Sequence, residues 1–257
     1  MGVRVPPPAL ERLLGDLVDG ARAALEADFV GAYLVGSFAL GAADEFSDVD
    51  FVVVTERVLG ADTVERLQAL HARIHAYGSW AEHLDGSYVP KASLRRPEPG
   101  ERYPYLDNGA RRLVWEDHGN TAAERWTLRE HGVTLAGPDA TTLLGPVPAD
   151  VLRDEARRRV RDYAAWAHDD ETMRRWKQSY VVVTLCRLLY TVEAGTVATK
   201  PEAVEWALDR LGPDWAGVVG AVREDRSDRW LRADEPVDPE TVARTLAFAD
   251  YAEAACS

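Results

Sequence analysis

Apolar residues recur at three- and four-residue intervals between Ala9 and Ala27, at Leu10, Leu13, Leu14, Leu17, Val18, Ala21 and Leu25. That period predicts an amphipathic helix packed on a sheet. The pattern then changes. Gly31–Val35 is a short apolar run that stops at a glycine, and Phe51–Val54 is β-branched and too short for a helix, so both predict strands. Thr63–Tyr77 returns to the helical period with Val64, Leu67, Leu70 and Ile74 on one face, and Gly78-Ser79 ends it. Its histidines, His71 and His75, lie one turn apart; with no third ligand, a solvated helix face is the favoured reading over a metal pair.

Glu82–Pro90 reads as a third strand, Lys91–Gly109 as a proline- and charge-rich loop, and Arg111–Trp115 as a further strand. Thr121 caps a helix over Ala122–His131 that Gly132 stops. Pro146-Val147-Pro148 marks a boundary, giving domains 1–147 and 148–257. Beyond it the chain reads as wholly helical, with helices over 150–168, 173–194, 201–211, 214–224 and 239–255.

The candidate chemistry sits in Gly36–Val54, GSFALGAADEFSDVDFVVV. Alternation along a strand puts Asp48 and Asp50 on one face, about 6.6 Å apart, with Val49 and Phe51 facing a core. Two carboxylates so held repel each other unless a divalent cation sits between them, and hard oxygen ligands suit Mg²⁺. The competing reading is a solvated strand end. Gly36 admits a ligand close to the backbone. Ser37 offers a hydroxyl and an N–H to a phosphate, a short helix over Phe38–Gly41 aims its N–H groups the same way, and Ser47 adds a second hydroxyl. A third strand alongside would complete a cluster of three carboxylates. Arg187 lies among Leu185, Leu188 and Leu189, where an unpaired charge is costly and a triphosphate is a fitting partner. Lys200 precedes Pro201, a favoured first helical residue. A structural salt bridge for Arg187 and a solvated Lys200 are the alternatives.

The Gly36-Ser37, ten-residue gap and Asp48-Val49-Asp50 pattern resembles the nucleotidyltransferase superfamily of the polymerase-β type. With the run Val183–Tyr190, Lys200 and Ala203–Leu211, most of the chain resembles the aminoglycoside adenylyltransferases that modify streptomycin and spectinomycin. The resemblance implies an α+β fold, an N-terminal nucleotidyltransferase domain (a mixed sheet flanked by helices) followed by an all-α helical bundle, with Val133–Pro138 as a short closing strand. It implies Mg²⁺, expected as two ions on Asp48, Asp50 and Asp85, with ATP as co-substrate and AMP passed to an antibiotic hydroxyl as pyrophosphate leaves. Asp85 falls where the family has a catalytic glutamate, one methylene shorter; Glu82, of opposite strand phase, is the runner-up. Asn120 falls near a family aspartate on the nucleotide side, and Arg187 and Lys200 match an arginine and a lysine that hold the phosphates. On the acceptor side Lys177, Met173 and His168 stand where the family has two acidic residues and a tryptophan. Trp115, Trp166, Asp169, Asp170, Glu171 and Trp176 are nearby substitutes for lining an acceptor cleft. The rival readings are the same chemistry on a biosynthetic sugar or protein hydroxyl, and a non-catalytic nucleotide sensor.

Composition alters this little. Of 257 residues, 30 are Lys or Arg and 43 Asp or Glu, a formal net charge of −13. That disfavours nucleic acid and anionic lipid as partners, a polymerase among them, and slightly favours a cationic sugar-like molecule. Cys186 and Cys256 are too few for a disulfide framework. With no signal-like or membrane-length apolar run, a cytoplasmic monomer is the expectation.

Overall fold

The computed structural model describes residues 8–43, 47–169, 173–224 and 233–256. The chain divides into two compact units that meet at Val147 and Pro148.

Unit 1 runs α1 (Pro8–Leu25), β1 (Phe29–Leu34), α2 (Gly36–Ala39), β2 (Val49–Thr55), α3 (Ala61–His75), β3 (Leu84–Pro90), α4 (Lys91–Arg95), β4 (Tyr103–Leu106), β5 (Val114–Glu116), α5 (Ala122–His131), β6 (Val133–Ala136) and α6 (Ala140–Leu143). Its strands form a six-stranded sheet in the order β5-β4-β3-β2-β1-β6. Only β2 and β3, joined through α3, run parallel; the other pairings are antiparallel. Strand parity sorts the core onto two faces. Val49, Phe51, Val53, Leu84 and Tyr88 pack against the leucines of α1 and α3. Val52, Val54 and Val89 pack on the other face with Leu94, Leu128 and Leu143 from α4, α5 and α6.

Three local expectations change. The segment read as loop, Lys91–Gly109, holds α4 and β4, because its prolines masked a strand whose alternate Tyr103 and Tyr105 face one way. The short helix after the glycine turn spans Gly36–Ala39 rather than starting at Phe38. Glu82 lies in a single 3₁₀ turn, Ser79–His83, ahead of β3.

His71 is buried rather than solvated, 1% exposed. Its ring stacks on Phe51 and its Nε2 lies 2.8 Å from the Tyr88 hydroxyl. Burial pushes its pKa down to about 4. The folded state thus keeps His71 neutral, whereas the unfolded chain takes up a proton below about 6.5. Stability is full above that value and falls as pH drops towards 4, by about 2 kcal/mol between pH 7 and 5. Urea unfolding at the two pH values measures it; in His71→Gln that share of the pH dependence disappears.

Unit 2 comprises α7 (Ala149–His168), α8 (Arg175–Ala194), α9 (Lys200–Arg210), α10 (Pro213–Glu224) and α11 (Pro239–Ala255). Helix α8 is central, its Val181, Val182, Leu185 and Leu189 packing with Val160 and Ala164 of α7, Val204 of α9 and Phe248 of α11. Gly195 ends α8 in the left-handed region at φ +70°. A Thr199–Glu202 capping box and Pro201 begin α9. No helix among the described residues is long and apolar enough to cross a membrane.

Candidate active site

In unit 1 the parallel register places Asp50 directly beside Asp85. Asp48 shares the Asp50 face, one residue ahead of β2, and its charge acts on Asp85. The cluster of three carboxylates expected from the sequence is therefore assembled by one pair of adjacent strands. Val49 and Phe51 point into the opposite core, as alternation requires.

Gly36 is needed here for two reasons. Its φ is +60°, and a Cβ at this position would overlap the Asp50 carboxylate. The Val35 N–H donates to the Asp50 carbonyl at 3.0 Å, tying the glycine turn to β2. Ser37 lies in the first turn of α2, half-buried, and Ser47 is buried next to Asp48. Asp48 Oδ1 is buried and accepts no hydrogen bond among the described residues. An orphaned carboxylate oxygen is costly, and a cation is its natural partner.

Asp85 is held at both oxygens. The Tyr105 hydroxyl donates to Oδ1 at 2.7 Å, and the Asn108 backbone N–H donates to Oδ2 at 3.1 Å. Asn108 adopts φ +43°, a region asparagine tolerates, and Gly109 N–H bonds the Leu84 carbonyl at 2.7 Å to fold this loop back on β3. Burial pushes the Asp85 pKa up, the two donors pull it down, and the Asp48 and Asp107 charges add to the rise; the net direction is upward. The Tyr105 phenol is raised as well, by burial first and then by Asp85. Tyr105, Asn108 and Asp107 were all missed in the sequence because they belong to the segment read as loop; the alternating aromatics of Tyr103-Pro104-Tyr105 were the available signal.

Other expected residues lie elsewhere. Asn120 is buried in unit 1, its amide donating to the Ser93 carbonyl at 3.0 Å and the Tyr103 hydroxyl at 3.1 Å. That commits the amide nitrogen inside the fold, while Oδ1 is buried with no hydrogen-bond partner among the described residues. Trp115 pairs with Pro104 while Tyr105 pairs with Val114 and Ser87, so Trp115 is on the sheet face opposite Asp50 and Asp85. It lines a small cavity there with Val58, Leu59, Tyr88 and Pro90.

In unit 2 the α8–α9 turn brings Arg187 and Lys200 to one corner: Arg187 Nε donates to the Ala198 carbonyl at 3.3 Å, two residues before Lys200. Both side chains are half-buried. Trp166 and Trp176 have ring centres 6.1 Å apart, and Asp169 is exposed at the end of α7. Lys177, only 2% exposed, sets its ammonium 4.7 Å from the centre of the Trp166 ring. Asp170 and Glu171 lie outside the described residues.

The model of the "Nucleotidyltransferase domain" family matches residues 22–86, the stretch that carries the glycine turn and all three carboxylates. Residues 142–251 match "Aminoglycoside adenylyltransferase, C-terminal domain", and the two matches together span more than half of the chain. The chain belongs to the aminoglycoside adenylyltransferase family. A relative in Klebsiella pneumoniae, aminoglycoside (3'') (9) adenylyltransferase, is 32% identical over 99 residues, covering 37% of this chain and 35% of that protein. This chain thus matches about a third of the length of that relative. Spectinomycin 9-adenylyltransferase of Staphylococcus aureus is 26% identical over 221 residues, 78% of this chain and 80% of the other. Among solved structures, spectinomycin adenyltransferase from Enterococcus faecialis with ATP and spectinomycin shares the family's fold with it: TM-score 0.71 at 16% identity, over 95% of this chain and 99% of that one.

Proposed function

We propose that the protein transfers AMP from ATP to a hydroxyl of an aminoglycoside or aminocyclitol antibiotic, releasing pyrophosphate. The carrying observation is the lateral pairing of Asp50 with Asp85, with Asp48 on the same face and its Oδ1 without a hydrogen-bond donor among the described residues. Such a convergence of hard anionic oxygens fits Mg²⁺ held by Asp48 and Asp50, with Asp85 as third ligand or as base. When bound, Mg²⁺ supplies neutralisation of the charge that builds on the phosphate oxygens.

The remaining work falls to the side chains. Asp85 takes the proton from the acceptor hydroxyl as that oxygen attacks the α-phosphorus and the bond to pyrophosphate breaks. Tyr105 and Asn108 hold its carboxylate in one orientation, and burial makes it a better proton acceptor. Ser37 and Ser47 donate to phosphate oxygens, while Arg187 and Lys200 take up triphosphate charge.

Pyrophosphate release from Mg·ATP, measured with a panel that includes streptomycin and spectinomycin, tests this directly. Mass spectrometry of each acceptor is expected to find added AMP. ATP bound with no pyrophosphate released across the panel would overturn the assignment and favour a nucleotide sensor.

A further inference from the structure

The two histidines one turn apart on α3 have different surroundings. His71 is in the core, whereas His75, the last residue of the helix, is half-buried. Its Nδ1 lies 2.7 Å from the carbonyl oxygen of Gly109, 34 residues further along the chain. A carbonyl oxygen can only accept, so Nδ1 carries the proton and donates.

Gly109 belongs to the turn that follows β4. The Ala110 N–H donates to the Asp107 carbonyl at 2.9 Å, and the residues between them, Asn108 and Gly109, have φ of +43° and +66°. Positive φ at both central positions is the mark of a type I′ turn. Asparagine in this region carries strain that its surroundings must hold. The Gly109 N–H donates to the carbonyl of Leu84, the residue before Asp85, at 2.7 Å. A Cβ at Gly109 would come within 2.5 Å of the Glu82 backbone, so the turn is pressed against the 3₁₀ turn ahead of β3. His75 secures the carbonyl of the same glycine from α3.

This turn delivers the Asn108 N–H to Asp85 Oδ2 at 3.1 Å. Asn108 is exposed, so water competes for both groups and the bond depends on the turn staying in place. The donor to the other oxygen, Tyr105, has strand pairing with Ser87 to fix its position. A turn residue has to be held by ties such as the one from His75.

We propose that His75 is a positioning residue for AMP transfer. By donating to the Gly109 carbonyl it sets the turn that aims the Asn108 N–H at Asp85, and so fixes the orientation of the carboxylate that takes the acceptor's proton. This rests on the reading of Asp85 as the base.

Steady-state transfer by the full chain, with hydrogen exchange measured at the Asn108 amide, tests it. His75→Leu keeps side-chain bulk and removes the donor. It is expected to lower kcat about tenfold with KM for ATP and acceptor unchanged, and to speed Asn108 exchange about tenfold. His75→Asn places an N–H donor the same number of bonds from the backbone as Nδ1 and should recover most of both losses. His75→Ala carries the test if His75→Leu folds poorly. A kcat within about twofold of wild type in the donor-less variant, an unchanged Asn108 exchange, or a loss carried in KM overturns the role. Equal losses in His75→Leu and His75→Asn mark ring packing rather than donation and overturn it too. Wild-type transfer in Asp85→Asn overturns the base reading and the role of His75 with it, whereas transfer lost in Asp85→Asn and intact in His75→Leu overturns His75 alone.

Discussion

Asp48→Asn is expected to lower AMP transfer about a thousandfold, the rate equivalent of roughly 4 kcal/mol of lost charge stabilisation. The substitution is isosteric, so packing around Val49 and Phe51 is preserved. It removes one of the negative charges acting on Asp85, so the protein without added metal should unfold at the same temperature or a higher one. The metal response separates this from a folding defect. Mg²⁺ should raise the wild-type unfolding temperature in a concentration-dependent way, because it binds the folded chain, and should raise that of Asp48→Asn far less. Transfer retained by the variant within tenfold, or an undiminished Mg²⁺ response, would remove Asp48 from the metal site.

Gly36→Ala is expected to cost about a hundredfold in turnover, on the scale of an ångström-sized misplacement of a reacting group. Alanine at φ +60° costs about 1 kcal/mol by itself. The larger effect is steric, since the new methyl occupies the place of the Asp50 carboxylate and must push it away from Asp85. Urea unfolding should record a loss of about 1–2 kcal/mol, well short of accounting for the turnover change. Full activity in Gly36→Ala would mean that the position of the Asp50 carboxylate does not set the rate.

Both predictions concern residues legible in the chain itself, and the reason is proximity in sequence. Gly36, Ser37, Asp48 and Asp50 fall within one turn and one strand, where alternation alone decides which side chains share a face. The helices of unit 2 were legible in the same way, to within two residues at each start, because their 3.6-residue period and capping residues are local signals. Prolines at 97, 99 and 104 hid the four-residue strand β4, and with it Tyr105 and the Asn108 N–H. His71 looked like a surface residue because helical phase does not say which neighbour covers that phase; Phe51 and Tyr88 do.

Sequence by itself thus determined the helices of unit 2, the two-part organisation of strands followed by helices, and the carboxylate pair on one strand face. Tertiary structure alone decided that Asp85 lies beside Asp50, that Tyr105 holds it, and that Trp115 faces away. It also decided that Tyr163 and Tyr180 bring their hydroxyls together. Periodicity describes a chain against its own axis, whereas strand register and helix pairing are settled between segments distant in sequence. Those contacts follow from burying whole faces at once, and no local pattern encodes which faces will meet.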